Sequence, residues 1–147
     1  MNKEDVAKLR EETGAGVMEC KKALDEAGGS FEKAKEVLFA QGVAKAQKKS
    51  ERSTGAGLLE AYVHNGRIGV LLEVRCETDF VAKNETFKTL VRDIAMQIAS
   101  MNPESVEELL AQPFIKDESK TVGDMVTNAV AVIGENIKIE RFCRYEL

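Results

Sequence analysis

Leu59-Glu-Ala-Tyr-Val-His-Asn-Gly-Arg-Ile-Gly-Val-Leu-Leu72 reads as a β-hairpin, and that reading decides the fold class. Asn65-Gly66 supplies the two positive-φ positions of a type I′ turn, which joins antiparallel strands with little strain. With His64 opposite Arg67, alternation sets Val63 against Ile68, Ala61 against Val70 and Leu59 against Leu72. These are three apolar pairs on one face. Glu60, Tyr62, His64, Arg67 and Glu73 take the other, half-wet face.

The second strand runs to Val74 and meets Cys76-Glu-Thr-Asp-Phe-Val-Ala-Lys-Asn-Glu-Thr-Phe87. A helix follows, with Phe87, Leu90, Val91, Ile94 and Ile98 at i, i+3, i+4 and i+7, ending before Met101-Asn102-Pro103. Thr78-Asp79-Phe80 therefore sits on a corner where backbone N–H groups are free and side chains point outward. An acid beside an aromatic on such a corner can probe another protein. The competing reading is that Thr78 or Asp79 caps the helix while Phe80 packs beneath it.

Ser105-Val-Glu-Glu108 is a capping box opening a short helix that stops near Pro113. Thr121-Val-Gly-Asp124 opens another, with Val122, Met125, Val126, Ala129 and Ile133 as its stripe and Gly134 as its stop. Ile137-Lys-Ile-Glu-Arg-Phe-Cys-Arg-Tyr145 closes the chain as a β-rich run. Residues 55–147 thus form an α+β unit in which a three-stranded antiparallel sheet packs on helices.

Upstream, residues 1–42 read as three short helices. Val6 and Leu9 begin an apolar stripe that ends at Thr13-Gly14-Ala-Gly16. Val17, Cys20, Ala23, Leu24 and Ala27 form the next, stopped by Gly28-Gly29. Ser30 caps a third helix carrying Phe31, Ala34, Val37 and Leu38, with Gly42 after its end. Residues 43–54 form a charged linker. In it, Lys45-Ala-Gln-Lys-Lys-Ser-Glu-Arg52 sets four positive charges against one negative.

The bulk numbers exclude more than they assert. At 147 residues the chain buries enough surface to need no disulfide or metal. With 21 basic and 25 acidic residues it lacks the basic surplus of a nucleic-acid binder. Met1-Asn-Lys-Glu-Asp5 is too polar for a signal peptide, and no apolar run nears the ~20 residues of a membrane span. A cytoplasmic location is expected. Three scattered cysteines and one histidine offer no zinc spacing, and no phosphate loop or dinucleotide fingerprint is present. Neither a catalytic group nor a cofactor is expected.

Three stretches together resemble the elongation factor Ts family, the guanine-nucleotide exchange factors of elongation factor Tu. They are Leu9-Arg-Glu-Glu-Thr-Gly-Ala-Gly-Val-Met-Glu-Cys-Lys-Lys-Ala-Leu24, Glu73-Val-Arg-Cys-Glu-Thr-Asp-Phe-Val-Ala82 and Ile133-Gly-Glu-Asn-Ile-Lys-Ile139. The resemblance covers nearly the whole chain and is to a short bacterial form. It implies that the first unit is a three-helix, ubiquitin-associated-like (UBA-like) domain. It also implies binding to Tu carrying GDP, displacement of its magnesium and release of GDP without covalent chemistry. Thr78, Asp79, Phe80 and Val81 would enter the GTPase domain, and Leu9, Arg10, Val17 and Met18 would contact it from the first unit. The alternative is a UBA-like adaptor that grips a peptide or protein through residues 1–54 alone.

Long members of that family carry two core subdomains, whereas this chain has room for one. A symmetric homodimer is the simplest replacement, since it presents the same surface twice. The last strand is the expected seam. Ile137, Ile139, Arg141, Cys143 and Tyr145 share a face by alternation, with Ile139, Arg141, Cys143 and Tyr145 as contact residues.

Overall fold

In the computed structural model, which describes residues 2–147, three helices come first: α1 (Lys3–Thr13), α2 (Val17–Glu26) and α3 (Phe31–Lys49). Met1, with which the expected first unit and the leader reading begin, lies outside the described residues. A hairpin of β1 (Ala56–His64) and β2 (Ile68–Cys76) follows. Next come α4 (Asp79–Ala82), α5 (Glu85–Met101), α6 (Val106–Ala111), β3 (Pro113–Phe114), β4 (Asp117–Thr121), α7 (Val122–Ile133) and β5 (Lys138–Glu146). Strands β1, β2 and β5 form an antiparallel sheet in that order. The fold is α+β, with Phe87, Leu90, Val91, Ile94 and Ile98 of α5 sharing one core with Val70, Leu72 and Val74 of the sheet.

Local chemistry explains most element ends. Ser30 Oγ accepts from the Lys33 N–H, and Thr121 and Asp124 cap α7 reciprocally. Ser105 accepts from the Glu108 N–H, but the Glu108 carboxylate reaches Glu104 N–H instead of completing the expected box. Asn102 and Gly134 close α5 and α7 in left-handed conformations.

Helix α3 does not stop at Gly42. It runs on to Lys49 through much of the segment expected as a linker. Gly42 is buried, and a Cβ there would lie 3.5 Å from the Ala131 Cβ. The residue thus serves a close crossing of α3 over α7 and is not a terminator. Leu9, Cys20, Ala23, Leu24, Ala34 and Leu38 form the separate core of the first three helices.

The hairpin register differs by one residue from its expected form. Asn65 and Gly66 do take positive φ, and the Arg67 N–H donates to the His64 carbonyl. Arg67 is then left over, so His64 pairs with Ile68, Tyr62 with Val70, Glu60 with Leu72 and Leu58 with Val74. One slipped residue sends every side chain of a strand to the opposite face. Leu58 and Tyr62 therefore pack on the core, while Leu59, Ala61 and Val63 face outward. Gly57 permits the close approach at the strand's start, where a Cβ would meet the Val74 carbonyl oxygen at 2.3 Å.

A second irregularity splits the last strand. Glu73 pairs with Arg141 but Val74 with Ile139, so Glu140 bulges out. Ile137 and Ile139 turn into the core, whereas Arg141, Cys143 and Tyr145 face outward. Ile139 thus leaves the set of expected contact residues. The short β3–β4 hairpin was not foreseen. Buried Gln97 organises it, donating to the Pro113 carbonyl and accepting from the Ile115 N–H.

Candidate functional site

The corner after β2 is built from its hydrogen bonds. Cys76 is buried, and desolvation pushes its thiol above the ordinary range. The next two N–H groups, of Glu77 and Thr78, donate to Glu135 Oε1 at 3.1 and 3.0 Å. The Thr78 hydroxyl donates to Glu135 Oε2 at 2.8 Å while accepting from the Val81 N–H at 3.3 Å. Thr78 is therefore the N-cap of the four-residue helix α4. Val81 and Ala82 are buried in the main core and anchor that helix from below. Asp79 is exposed and Phe80 is 86% exposed.

Of the competing reading, the cap is present at Thr78 but the packing of Phe80 is not. The ring does not pack beneath a helix start; it projects from a hydrogen-bonded corner. Val81 goes the other way, into the core, and supports the corner. An aromatic this exposed loses water-contacting area only by entering another molecule.

The N-terminal candidates divide similarly. Val17 and Met18 open α2 and are exposed, as is Arg10, but Leu9 is fully buried in the core of the three helices. Glu19 ties this point to α3. Its Oε2 accepts from the Gly16 N–H at 3.1 Å, and Lys45 Nζ donates to Oε1. The hydrogen bond from Lys45, and then that from Gly16, hold the Glu19 carboxyl below its ordinary value.

The outward face of the sheet is the third surface. Its rows are Val63–Gly69–Tyr145, Ala61–Leu71–Cys143 and Leu59–Glu73–Arg141. Leu59 is 66%, Val63 67% and Tyr145 78% exposed. The uncovered face of an antiparallel sheet is ordinarily polar; here charge is confined to one end, where Glu73 accepts from both Arg75 and Arg141 at 2.8 Å.

An open cleft of about 730 Å³ separates the first three helices from α5 and α7, with Phe39, Leu90, Met125 and Val132 among charged residues. None of the expected Phe80-corner or sheet residues lines it. Among the described residues, no group of three His, Cys, Asp or Glu side chains is placed to hold a metal. Among the same residues, no helix is long and apolar enough to cross a membrane.

A family model described as elongation factor TS matches residues 77–147, which hold the corner, the α7–β5 turn and the last strand. The elongation factor Ts of Alkaliphilus oremlandii is 43% identical over 187 aligned positions, covering 97% of this chain and 87% of that protein. That of Coprothermobacter proteolyticus is 43% identical over 188 positions, covering 97% and 95%. That of Thermodesulfovibrio yellowstonii is 40% identical over 186 positions, covering 97% and 94%. These aligned spans exceed the 147 residues of the chain, so the relatives carry stretches without a counterpart here.

Proposed function

The chain belongs to the elongation factor Ts family, translation elongation factors rather than enzymes, and from this we propose that it binds elongation factor Tu carrying GDP and speeds GDP release. The observation that carries the reading is Phe80, exposed beside Asp79 on a corner fixed from beneath by Val81 and from the side by Glu135. Phe80 is the wedge. It gains buried area only when the nucleotide site opens, and a ligand shifts an equilibrium only by its differential affinity for the two states. Asp79 brings a carboxylate to the magnesium of the partner. Displacing that cation removes the charge that offsets the diphosphate, which weakens GDP. Val17 and Met18, with Arg10, supply a second contact to the same GTPase domain. The work is done in the cytoplasm.

The active unit in this proposal is a homodimer closed through the outward sheet face, with Leu59, Val63, Leu71, Cys143 and Tyr145 buried between copies. Contiguous exposed apolar surface of this kind marks an interaction site. A two-fold axis would present two Phe80 corners, replacing the second core subdomain of long members.

The test is stimulated release of a fluorescent GDP analogue from Tu. Asp79→Ala and Phe80→Ala should each slow release by a factor corresponding to about 1–3 kcal/mol. Undiminished release by the folded double variant contradicts the proposal.

A further inference from the structure

Glu135 and Asn136 form the turn from α7 into β5, and between them they tie down two separate parts of the chain. Glu135 takes both corner amides and the Thr78 hydroxyl, as described above. Asn136 is buried and reaches the other way. Its Nδ2 donates to the carbonyls of Ser50 at 3.3 Å and Arg52 at 2.9 Å, just beyond the end of α3. Its N–H donates to Glu77 Oε1 at 3.2 Å, and Arg52 pairs with the same oxygen at 3.7 Å. Two adjacent residues thus hold the segment leaving the first three helices and the corner carrying Phe80.

A purely local need explains only the bond to the half-buried Glu77 amide. Thr78 is exposed, so water would satisfy its amide and hydroxyl nearly as well. What water cannot do is fix the direction in which the corner points. Three hydrogen bonds to one carboxylate, itself anchored between a helix end and a strand, do fix it.

We infer that Glu135 and Asn136 are positioning residues for nucleotide release. Glu135 sets the direction of Asp79 and Phe80, and Asn136 ties the segment after α3 to the same point. The Val17–Met18 surface and the Phe80 corner then meet the partner in one arrangement, with less ordering cost on binding. The inference rests on the exchange reading above. The two residues affect different quantities. A loose corner weakens the wedge, which acts in the opened state, so losing Glu135 lowers the maximal rate. A loose segment after α3 weakens joint engagement of both surfaces, so losing Asn136 raises the half-saturating concentration.

The experiment follows release of fluorescent GDP from Tu against concentration of the full chain. Its variants are Glu135→Ala, Asn136→Ala, Phe80→Ala and the Glu135→Ala/Phe80→Ala pair. Glu135→Ala should lower the maximal rate about tenfold and shift half-saturation by less than about twofold. Asn136→Ala should raise half-saturation about fivefold at nearly the wild-type maximal rate. In the Phe80→Ala background Glu135→Ala should cost less than about twofold, because its effect passes through Phe80. A merely structural role leaves the two losses additive, and that result overturns the inference for Glu135; unchanged half-saturation overturns it for Asn136. If Glu135→Ala does not fold, Glu135→Gln keeps one acceptor oxygen and enters the same cycle with about a threefold loss expected. No release by the wild type removes the exchange reading itself, and full activity of Phe80→Ala removes the wedge through which Glu135 is inferred to act. Release that depends on Phe80 but not on Glu135 removes only the positioning role.

Discussion

Leu71 and Cys143 stand directly opposite each other on neighbouring strands, on the face of the sheet that none of the other described residues covers. Val63, Tyr145 and Leu59 surround that pair, so the face is apolar at its centre and charged only where Glu73 meets Arg75 and Arg141. A second copy is the occupant proposed for it. Light scattering at micromolar concentration should give twice the 16.2 kDa chain mass. Leu71→Arg should return it to one chain mass with an unchanged far-ultraviolet spectrum, because the side chain lies on the outward face and outside the buried core. A wild-type mass of one chain contradicts the dimer.

Phe80 and Val81 are neighbours with opposite assignments, and stability separates them. Phe80→Ala should change unfolding free energy by less than about 0.5 kcal/mol, as for other exposed positions. Val81→Ala deletes buried methyl groups and should cost about 2 kcal/mol. Denaturant midpoints measure both. A large loss for Phe80→Ala would return that ring to a packing role.

The same contrast applies to the first three helices. Leu9→Ala opens a cavity and should cost about 2–5 kcal/mol. The pair Val17→Ala and Met18→Ala should leave the melting temperature unchanged and weaken Tu binding about tenfold by calorimetry, the scale of a modest hot spot. Unaltered affinity in that double variant would remove the first three helices from the proposed interface.

Acid should loosen the molecule, and Glu73 reports the sign. Hydrogen bonds from Arg141, and next from Arg75, hold its carboxyl below the ordinary 4.5. A carboxylate depressed by folding contributes stability that is fully present above its unfolded value and is lost as pH falls through its folded one. Asp117, held down chiefly by Ser119, and Glu19, held down chiefly by Lys45, share that sign. Melting temperature should therefore fall below about pH 4.5, and Glu73→Gln should flatten part of that slope. A slope unchanged by Glu73→Gln would exclude the carboxylate from the effect.

Much of the fold was legible because short-range chemistry sets it. The caps Ser30 and Thr121, the stops Asn102 and Gly134, and the turn Asn65-Gly66 are each decided within a few residues. What escaped were single-residue decisions made by tertiary packing. Arg67 joins the turn and Glu140 bulges out, and alternation beyond each is reversed. Leu58 and Leu59 are equally apolar, so composition could not say which faces the core. Gly42 looked like a helix stop because its neighbour Ala131 is remote in sequence. At the candidate site the exposed pair Asp79-Phe80 was legible from its corner. The burial of Leu9 and Val81 was not, since a motif does not reveal which of its residues face inward. Glu135 was visible only as part of a matching stretch, because its partners lie 57 and 58 residues away.

The central claim is that this chain opens the nucleotide site of elongation factor Tu through the Phe80 corner. The most direct measurement is release of fluorescent GDP from Tu with the chain present in substoichiometric amount and unlabelled GDP in excess. The expected result is that all of the labelled GDP leaves at a rate proportional to the chain's concentration, so that each molecule serves many Tu molecules. Departure at the intrinsic rate of Tu alone, whatever the concentration of folded chain, would contradict it.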